Sequence, residues 1–132
     1  MEKVRIGILG AAGYTGGELI RLLMGHPGAE IVFANSESNA GNAVADVHEG
    51  LVGDTDMAFT ADMPFDSVDV VFFCFGHGKS AAFINEHPLP AHLRVIDLAQ
   101  DFRLAAPGND FVYGLPEINR DRIAAARHVA NP

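Results

Sequence analysis

The sequence has a single cysteine, few basic residues and no long hydrophobic run, and each scarcity excludes a class of protein. With Cys74 alone, no internal disulfide can form, which excludes the small secreted folds that depend on disulfides. Nine Lys and Arg residues against 17 Asp and Glu residues give a net charge of −8. This balance argues against a nucleic-acid partner, because neutralising phosphates needs clustered cations. We expect a protein of the reducing cytoplasm.

The longest apolar run, from Val70 to Phe75, is far shorter than the ~20 residues that cross a bilayer. The N-terminus also lacks the features of a signal peptide, so we expect no membrane partner. What the chain does have is 48% hydrophobic residues in a length of 132. This composition is sufficient for one globular domain with one core.

Strand-like and helix-like patterns alternate along the chain. Because alternating strands and helices form parallel sheets with right-handed crossovers, the pattern predicts a Rossmann-type α/β fold. We expect a doubly wound parallel sheet with helices on both faces, forming one dinucleotide-binding domain of residues 1–132. The predicted strands are Val4–Leu9, Ala29–Asn35, Val68–Phe75, Leu93–Ala99 and His128–Asn131, with a short one near Met57–Thr60. The predicted helices are Tyr14–His26, Lys79–His87 and Asn119–Arg127, the last capped by Asn119, with a short one near Ala43–His48.

Three glycines at a spacing of three residues follow the first strand. Gly10 would provide the tight turn, Gly13 would let the backbone approach a pyrophosphate, and Gly16 would let the helix pack closely. The N–H groups of the residues from Ala12 to Thr15, Tyr14 included, would face the phosphates at the positive end of the helix. The alternative is a turn with a purely structural role.

The end of the second strand indicates which dinucleotide binds. Asn35, Ser36 and Ser38 are neutral donors that suit the 2′-phosphate of NADP, and we therefore expect NADP as the cofactor. Glu37 leaves an alternative open. If its carboxylate points inward, it would hold a ribose 2′-hydroxyl and favour NAD.

Cys74 stands three residues before His77, a spacing that suggests a Cys–His nucleophile. Its place in a run of apolar residues instead predicts a buried, unreactive thiol. Gly76 and His77 follow the strand directly, and we expect them beside the cofactor at the ligand-binding edge of the sheet, although a plain turn would also explain them. The other histidines lack metal-ligand spacing, so we expect no metal site.

Arg103 lies between Phe102 and Leu104 in a segment that follows another strand. Its guanidinium would bind the phosphate or carboxylate of a substrate. Alternatively, it is a surface residue or forms a structural ion pair with Asp97 or Asp101. The residue pattern does not separate these readings.

Several segments together resemble the N-terminal part of the N-acetyl-gamma-glutamyl-phosphate reductases, relatives of the aspartate-semialdehyde dehydrogenases. The segments are Gly10–Leu19 (GAAGYTGGEL), Ser36–Gly41 (SESNAG), Asp69–Phe73 (DVVFF), Gly76–Gly78 (GHG), Asp97–Leu104 (DLAQDFRL) and Tyr113–Arg120 (YGLPEINR). The chain departs from the family at three positions. Glu37 stands where the family often has Arg, Gly76 where it often has Pro, and Asn42 where it often has Lys.

The resemblance implies that NADPH reduces N-acetyl-glutamyl 5-phosphate to N-acetyl-glutamate 5-semialdehyde and phosphate in arginine biosynthesis. It also implies a cysteine thioester as the intermediate, and the family's cysteine would follow Asn131-Pro132, beyond this chain. We therefore expect residues 1–132 alone to be inactive, and the full-length enzyme to be a homo-oligomer that acts on a small acyl phosphate. Ser36 and Ser38 would hold the 2′-phosphate, and Gly76 and His77 would border the nicotinamide. Sister reductases for N-succinyl-glutamyl, aminoadipyl or aspartyl phosphate remain alternatives, as does a non-enzymatic nucleotide-binding module.

Overall fold

A parallel sheet of six strands forms the centre of the computed structural model, which describes residues 2–132. The strands are β1 (Val4–Leu9), β2 (Ala29–Asn35), β3 (Val70–Phe73), β4 (Arg94–Asp97), β5 (Val112–Tyr113) and β6 (His128–Ala130), in the spatial order β2-β1-β3-β4-β6-β5. The helices are α1 (Tyr14–Met24), α2 (Val44–Val47), α3 (Lys79–Glu86) and α4 (Pro116–Ala125), and 3-10 turns span Glu49–Leu51 and Phe65–Ser67. The predicted doubly wound fold is confirmed.

Successive residues of a strand point to opposite faces of the sheet. The central strands carry apolar residues on both sides, so both faces of the sheet are apolar. On one face, Ile6 and Ile8 of β1 pack in a cluster that includes Ile20 of α1. On the other face, Leu9 and Phe73 belong to a second cluster, and Phe83 of α3 packs against it. The two clusters explain why the chain needs continuous apolar strands in the middle of the sheet.

The strand order reverses at β1, which pairs with β2 on one side and with β3 on the other. In doubly wound sheets such a reversal opens a crevice beyond the carboxyl ends of the strands. The turns that follow β1, β2, β3 and β4 all meet at this edge. They contain most of the residues that the sequence marks as candidates for binding.

The start of the last helix, its cap and the strand near Thr60 differ from the predictions. The last helix begins at Pro116 rather than at Asn119, because proline suits the first turn of a helix. Asn119 lies inside the helix at a kink, and its side-chain amide donates to the carbonyl oxygen of Tyr113 at 2.9 Å. The expected strand near Thr60 forms only isolated bridges, with Asn35 pairing to Thr60 and Ala43 to Ala58.

β5 was not predicted, and β3, β4 and β6 are shorter than the predicted strands. β5 has only two residues and pairs with β6, which comes later in the chain. β3 ends at Phe73, two residues before the apolar run ends, and β4 covers only Arg94–Asp97. A pattern of apolar residues does not show where backbone pairing stops.

Two of the three motif glycines are required by close backbone contacts. At Gly16, which is buried, an added Cβ would lie 2.6 Å from the carbonyl oxygen of Ala11. At Gly10, φ is +70°, and an added Cβ would lie 2.6 Å from the carbonyl oxygen of Cys74. At Gly13 the nearest atom, the Gly10 carbonyl oxygen, is 3.8 Å away. The fold therefore needs glycine at positions 10 and 16, whereas position 13 has room for a side chain.

We predict that Gly16→Ala lowers the free energy of unfolding by about 2 kcal/mol, because a backbone atom blocks the new methyl group. Gly13→Ala is the matched control. Alanine is a poorer N-cap than glycine, which lowers the stability, but it also restricts the unfolded chain, which raises the stability. Because the two effects oppose each other, the free energy of unfolding of Gly13→Ala should stay within about 0.5 kcal/mol of the wild type. Urea unfolding measures both values. Equal stabilities for the two variants would contradict the packing described at Gly16.

Candidate functional site

The N-terminus of α1 is left open by the protein itself. Gly13 is the N-cap, no side chain caps the helix, and the first turn has no acidic residue. The first helical hydrogen bond runs from the N–H of Gly17 to the carbonyl oxygen of Gly13, at 3.0 Å. Within residues 2–132, the N–H groups of Tyr14 and Thr15 have no acceptor. Free N–H groups at the positive end of a helix form a ready binding site for an anion.

The segment Gly10–Gly16, which we call the glycine turn, offers backbone rather than side chains. The side chain of Tyr14 is 99% exposed and packs on nothing. Gly13 and Thr15 are exposed, and Ala12 is half-buried. The accessible positions of the glycine turn are therefore the ones the sequence predicts to approach a pyrophosphate.

A groove of about 710 Å³ runs from Gly10 along the end of β2, and we call it the β2 groove. One wall is polar and consists of the segment Asn35–Ser38. The other wall is apolar and was not predicted: it is formed by Ala61, Met63, Phe75, Phe83 and His87. Phe75 ends a predicted apolar strand and Phe83 lies in a predicted helix, so the sequence offered no sign that they reach a groove.

The polar groups of this wall differ in whether they already have hydrogen-bond partners in the protein. Ser36 is buried, its N–H donates to the Thr60 carbonyl oxygen at 3.0 Å, and its hydroxyl oxygen accepts from the N–H of Asn39 at 3.3 Å. The Asn35 amide donates to the carbonyl oxygens of Ala61 and Asp62, so its N–H groups already have partners within the protein. Ser38 and Glu37 are exposed, and no Lys or Arg within residues 2–132 lines the groove.

A second open space of about 740 Å³, the β3–β4 hollow, lies beyond the ends of those two strands. It is lined by His77, Gly78, Gln100, Asp101, Arg103 and Leu104. The structure thus brings His77 and Arg103 together, as their positions after β3 and β4 predict. It separates them from Ser36 and Ser38, which lie in the β2 groove.

The N-terminus of α3, unlike that of α1, is capped by the protein. The carboxylate of Asp101 accepts the N–H of Gly78 at 2.6 Å and the N–H of Ala81 at 3.0 Å. A carboxylate at this position satisfies free backbone donors and complements the helix dipole. Of these two helix starts, only the one at α1 is open for an anion.

Arg103 supports the ends of two strands. Its Nε donates to the carbonyl oxygen of Asn131 at 2.9 Å, and its Nη2 donates to that of Leu98 at 3.0 Å. In the described part of the chain it forms no ion pair with Asp97 or Asp101, so that alternative is wrong. Arg103 also lines the β3–β4 hollow, so its remaining guanidinium N–H groups are near that space.

Cys74 is buried at the end of β3, as the apolar run predicts. Burial raises the pKa of its thiol to about 11, although the nearby Thr15 hydroxyl opposes this shift. A thiol with this pKa forms little thiolate near neutral pH and is a poor nucleophile.

No metal-ligand cluster and no membrane-spanning helix are found. Across residues 2–132, no group of three or more His, Cys, Asp and Glu side chains is placed to hold a metal ion. No helix in that range is long and apolar enough to cross a membrane.

Asp97 is fully buried beside the start of α3. Its Oδ1 accepts the Ser80 hydroxyl at 2.6 Å and the Ala99 N–H at 3.2 Å, whereas Oδ2 has no partner within residues 2–132. Burial raises the pKa of this carboxyl, and the bonds from Ser80 and Ala99 only partly oppose the shift. The fold therefore favours the neutral acid.

An open helix start after the first strand, beside the crevice of a doubly wound sheet, defines a dinucleotide-binding α/β domain. Residues 5–126 match the family described as "Semialdehyde dehydrogenase, NAD binding domain". The chain belongs to this family, as the resemblance in its motifs indicates.

Relatives and solved structures agree with this assignment. The chain is 56% identical over 129 residues to the N-acetyl-gamma-glutamyl-phosphate reductase of Parabacteroides distasonis, covering 98% of the chain and 40% of the relative. The enzyme of that name from Flavobacterium johnsoniae is 48% identical over 133 residues, covering 98% of the chain and 41% of the relative. The chain thus spans about two fifths of the length of these relatives.

The backbone also resembles the aspartate-semialdehyde dehydrogenase of Candida albicans, solved with NADP. The TM-score is 0.77 at 22% identity, covering 98% of this chain and 42% of that one. At this identity the likeness establishes the fold.

The buried acid predicts a specific dependence of stability on pH. Because the pKa of Asp97 is higher in the folded than in the unfolded chain, the unfolded chain ionises first as the pH rises above 3.8, the ordinary value. The wild type therefore loses stability from that pH upward, until the folded carboxyl ionises. Asp97→Asn removes this loss, so its free energy of unfolding should rise relative to the wild type between acid and neutral pH.

Urea unfolding across this pH range measures the difference between Asp97→Asn and the wild type. Asp97→Ala, which leaves the donors of Ser80 and Ala99 without an acceptor, should be less stable than Asp97→Asn by about 2 kcal/mol at every pH, because neither variant has the titrating carboxyl. Asp121→Asn, at an exposed position of α4, controls for the loss of one charge. A difference between Asp97→Asn and the wild type that does not change with pH would contradict the raised pKa.

Proposed function

We propose that this chain is the NADPH-binding domain of an N-acetyl-gamma-glutamyl-phosphate reductase. The observation that supports this most is the open N-terminus of α1, where the N–H groups of Tyr14 and Thr15 lack acceptors within residues 2–132. A pyrophosphate would supply those acceptors. The names of the relatives support the choice of reductase.

In this proposal the glycine turn binds the pyrophosphate. Gly10 turns the chain away from β1, Gly16 brings α1 close to Ala11, and Gly13 leaves open the space through which a phosphate approaches. The N–H groups of Ala12, Tyr14 and Thr15 donate to the phosphate oxygens. The overall charge of −8 does not prevent this, because the donors are backbone groups.

The β2 groove receives the adenosine half of the cofactor. Its apolar wall, with Phe75 and Phe83, suits a planar base, and its polar wall suits a ribose. Ser38, which is exposed, offers a hydroxyl to the 2′-phosphate, and Ser36 holds the loop that presents it. Because Glu37 is exposed, its carboxylate can turn away from a bound phosphate.

The β3–β4 hollow receives the nicotinamide end. His77, next to Gly76 in the chain, borders it on the β3 side, and Arg103 also lines it, as the group that attracts the substrate's phosphate. When bound, NADPH supplies the hydride for reduction of an acyl phosphate to an aldehyde. The residues of this chain bind and orient the cofactor, and Cys74 takes no part.

The chain spans only about 40% of its relatives, and we place the nucleophile and the acyl-group pocket in the remaining part of such an enzyme. The full-length enzyme would be cytoplasmic and homo-oligomeric and would act on N-acetyl-glutamyl 5-phosphate, as the resemblance implies. Residues 1–132 alone are expected to bind NADPH and to reduce no acyl phosphate.

We predict that the 132-residue chain binds NADPH and that Gly13→Ala weakens binding roughly tenfold or more, because a methyl group would stand where the pyrophosphate approaches. Isothermal titration calorimetry measures both dissociation constants. Gly50→Ala is the matched control, since an added Cβ there has nothing within 4 Å and Gly50 lines neither open space. If wild type and Gly13→Ala bind equally, or neither binds, the proposal is wrong.

The same titration with NADH tests the cofactor preference. We predict tighter binding of NADPH than of NADH, and a larger preference in Glu37→Gln, because the variant removes a negative charge from the wall that faces the 2′-phosphate. The expected gain for NADPH is a few-fold, as Glu37 is exposed to solvent. Tighter binding of NADH, abolished in the variant, would instead show that Glu37 holds the ribose of NAD.

A further inference from the structure

The turn after β3 and the segment after β4 are joined by side-chain hydrogen bonds. Asp101 accepts the N–H groups of Gly78 and Ala81, at 2.6 Å and 3.0 Å. In the opposite direction, the N–H of Gln100 donates to Nδ1 of His77 at 3.0 Å. Residues 20 to 23 positions apart in the chain thus hold each other in place at one end of the hollow.

The bond from Gln100 decides which nitrogen of the His77 ring carries the proton. A backbone N–H can only donate, so Nδ1 must accept and is unprotonated. In the neutral ring the proton is therefore on Nε2. Within residues 2–132, Nε2 has no hydrogen-bond partner, and His77 is exposed in the β3–β4 hollow. The ring has one fixed acceptor, turned toward the protein, and one free donor.

Packing contributes little to holding this turn. A Cβ added at Gly76 would have only the distal carbons of Lys79 within 4 Å. A Cβ added at Gly78 would have no atom within that distance. Gly78 also adopts a φ of +85°, and Gly76, His77 and Gly78 are all exposed. With so few contacts, the orientation of His77 depends on the hydrogen bonds from the segment after β4.

We propose that Asp101 is a positioning residue, which fixes the turn Gly76–Gly78 so that Nε2 of His77 donates to the nicotinamide half of the bound cofactor. This inference rests on the proposed function, since it takes the β3–β4 hollow to be the nicotinamide end. The carboxamide oxygen of the nicotinamide is the acceptor of matching chemistry. Within residues 2–132, the carboxylate of Asp101 accepts hydrogen bonds only from backbone N–H groups, and Asp101 therefore acts through His77.

The test compares two ligands on the 132-residue chain: NADPH, and 2′-phospho-ADP-ribose, which lacks the nicotinamide. Asp101→Asn keeps the size of the side chain and one acceptor oxygen. We expect it to weaken NADPH binding roughly tenfold, about the effect of one lost hydrogen bond, and to leave the fragment's dissociation constant unchanged. Asp121→Asn, exposed on α4, controls for the loss of charge and should change neither value.

Two further measurements separate positioning from a general structural role. In a His77→Ala background, Asp101→Asn should cause no additional loss of NADPH affinity, because both changes remove the same contact. Nitrogen-15 NMR of the His77 ring should show the Nε2–H form in the wild type and a mixture of forms in Asp101→Asn. This readout does not require the cofactor.

Each outcome favours or overturns the inference. Equal weakening of NADPH and of the fragment, additive losses in the double variant, or an Nδ1–H ring in the wild type would overturn it, while leaving the NADPH domain itself intact. If the wild type binds neither ligand, the proposed function fails, and this inference fails with it. Selective loss of NADPH affinity, together with the expected ring tautomer, would establish Asp101 as the positioning residue.

Discussion

The close approach of α1 to the end of β1 sets the geometry of the whole site. It depends on Gly16, where the carbonyl oxygen of Ala11 lies 2.6 Å from the place of a Cβ, and on the left-handed turn at Gly10. Together they bring the N-terminus of α1 to the crevice beside β1, where the order of the strands reverses. A bulkier residue at either position would move the helix, and its free N–H groups would no longer face the crevice.

α1 and α3, which both begin at this edge, have opposite electrostatic roles. α3 is capped by the carboxylate of Asp101, so the protein neutralises the positive end of that helix itself. α1 has no capping side chain and no acidic residue in its first turn. A chain with a net charge of −8 can therefore attract a polyphosphate at one point while its surface repels anions elsewhere. The capped helix instead supports the turn that contains His77.

The fold could be predicted from the sequence, and the sequence also predicts a pyrophosphate site, because both depend on local patterns. The spacing of Gly10, Gly13 and Gly16 after an apolar strand is such a pattern. The link from Asp101 to Gly78 could not be predicted, since the two residues are 23 positions apart and meet only when β3 and β4 pair. The apolar wall of the β2 groove was missed for the same reason. Its aromatic residues have the pattern of core residues, and only the tertiary structure shows which of them reach a surface.

We propose that the open start of α1, and not the start of α3, binds the cofactor's pyrophosphate. Amide chemical-shift mapping of the 132-residue chain during titration with NADPH tests this most directly. We expect the largest shifts at the N–H groups of Ala12, Tyr14 and Thr15, which would donate to phosphate oxygens in the complex. Shifts that are largest at Gly78 and Ala81, with the glycine turn unchanged, would contradict it.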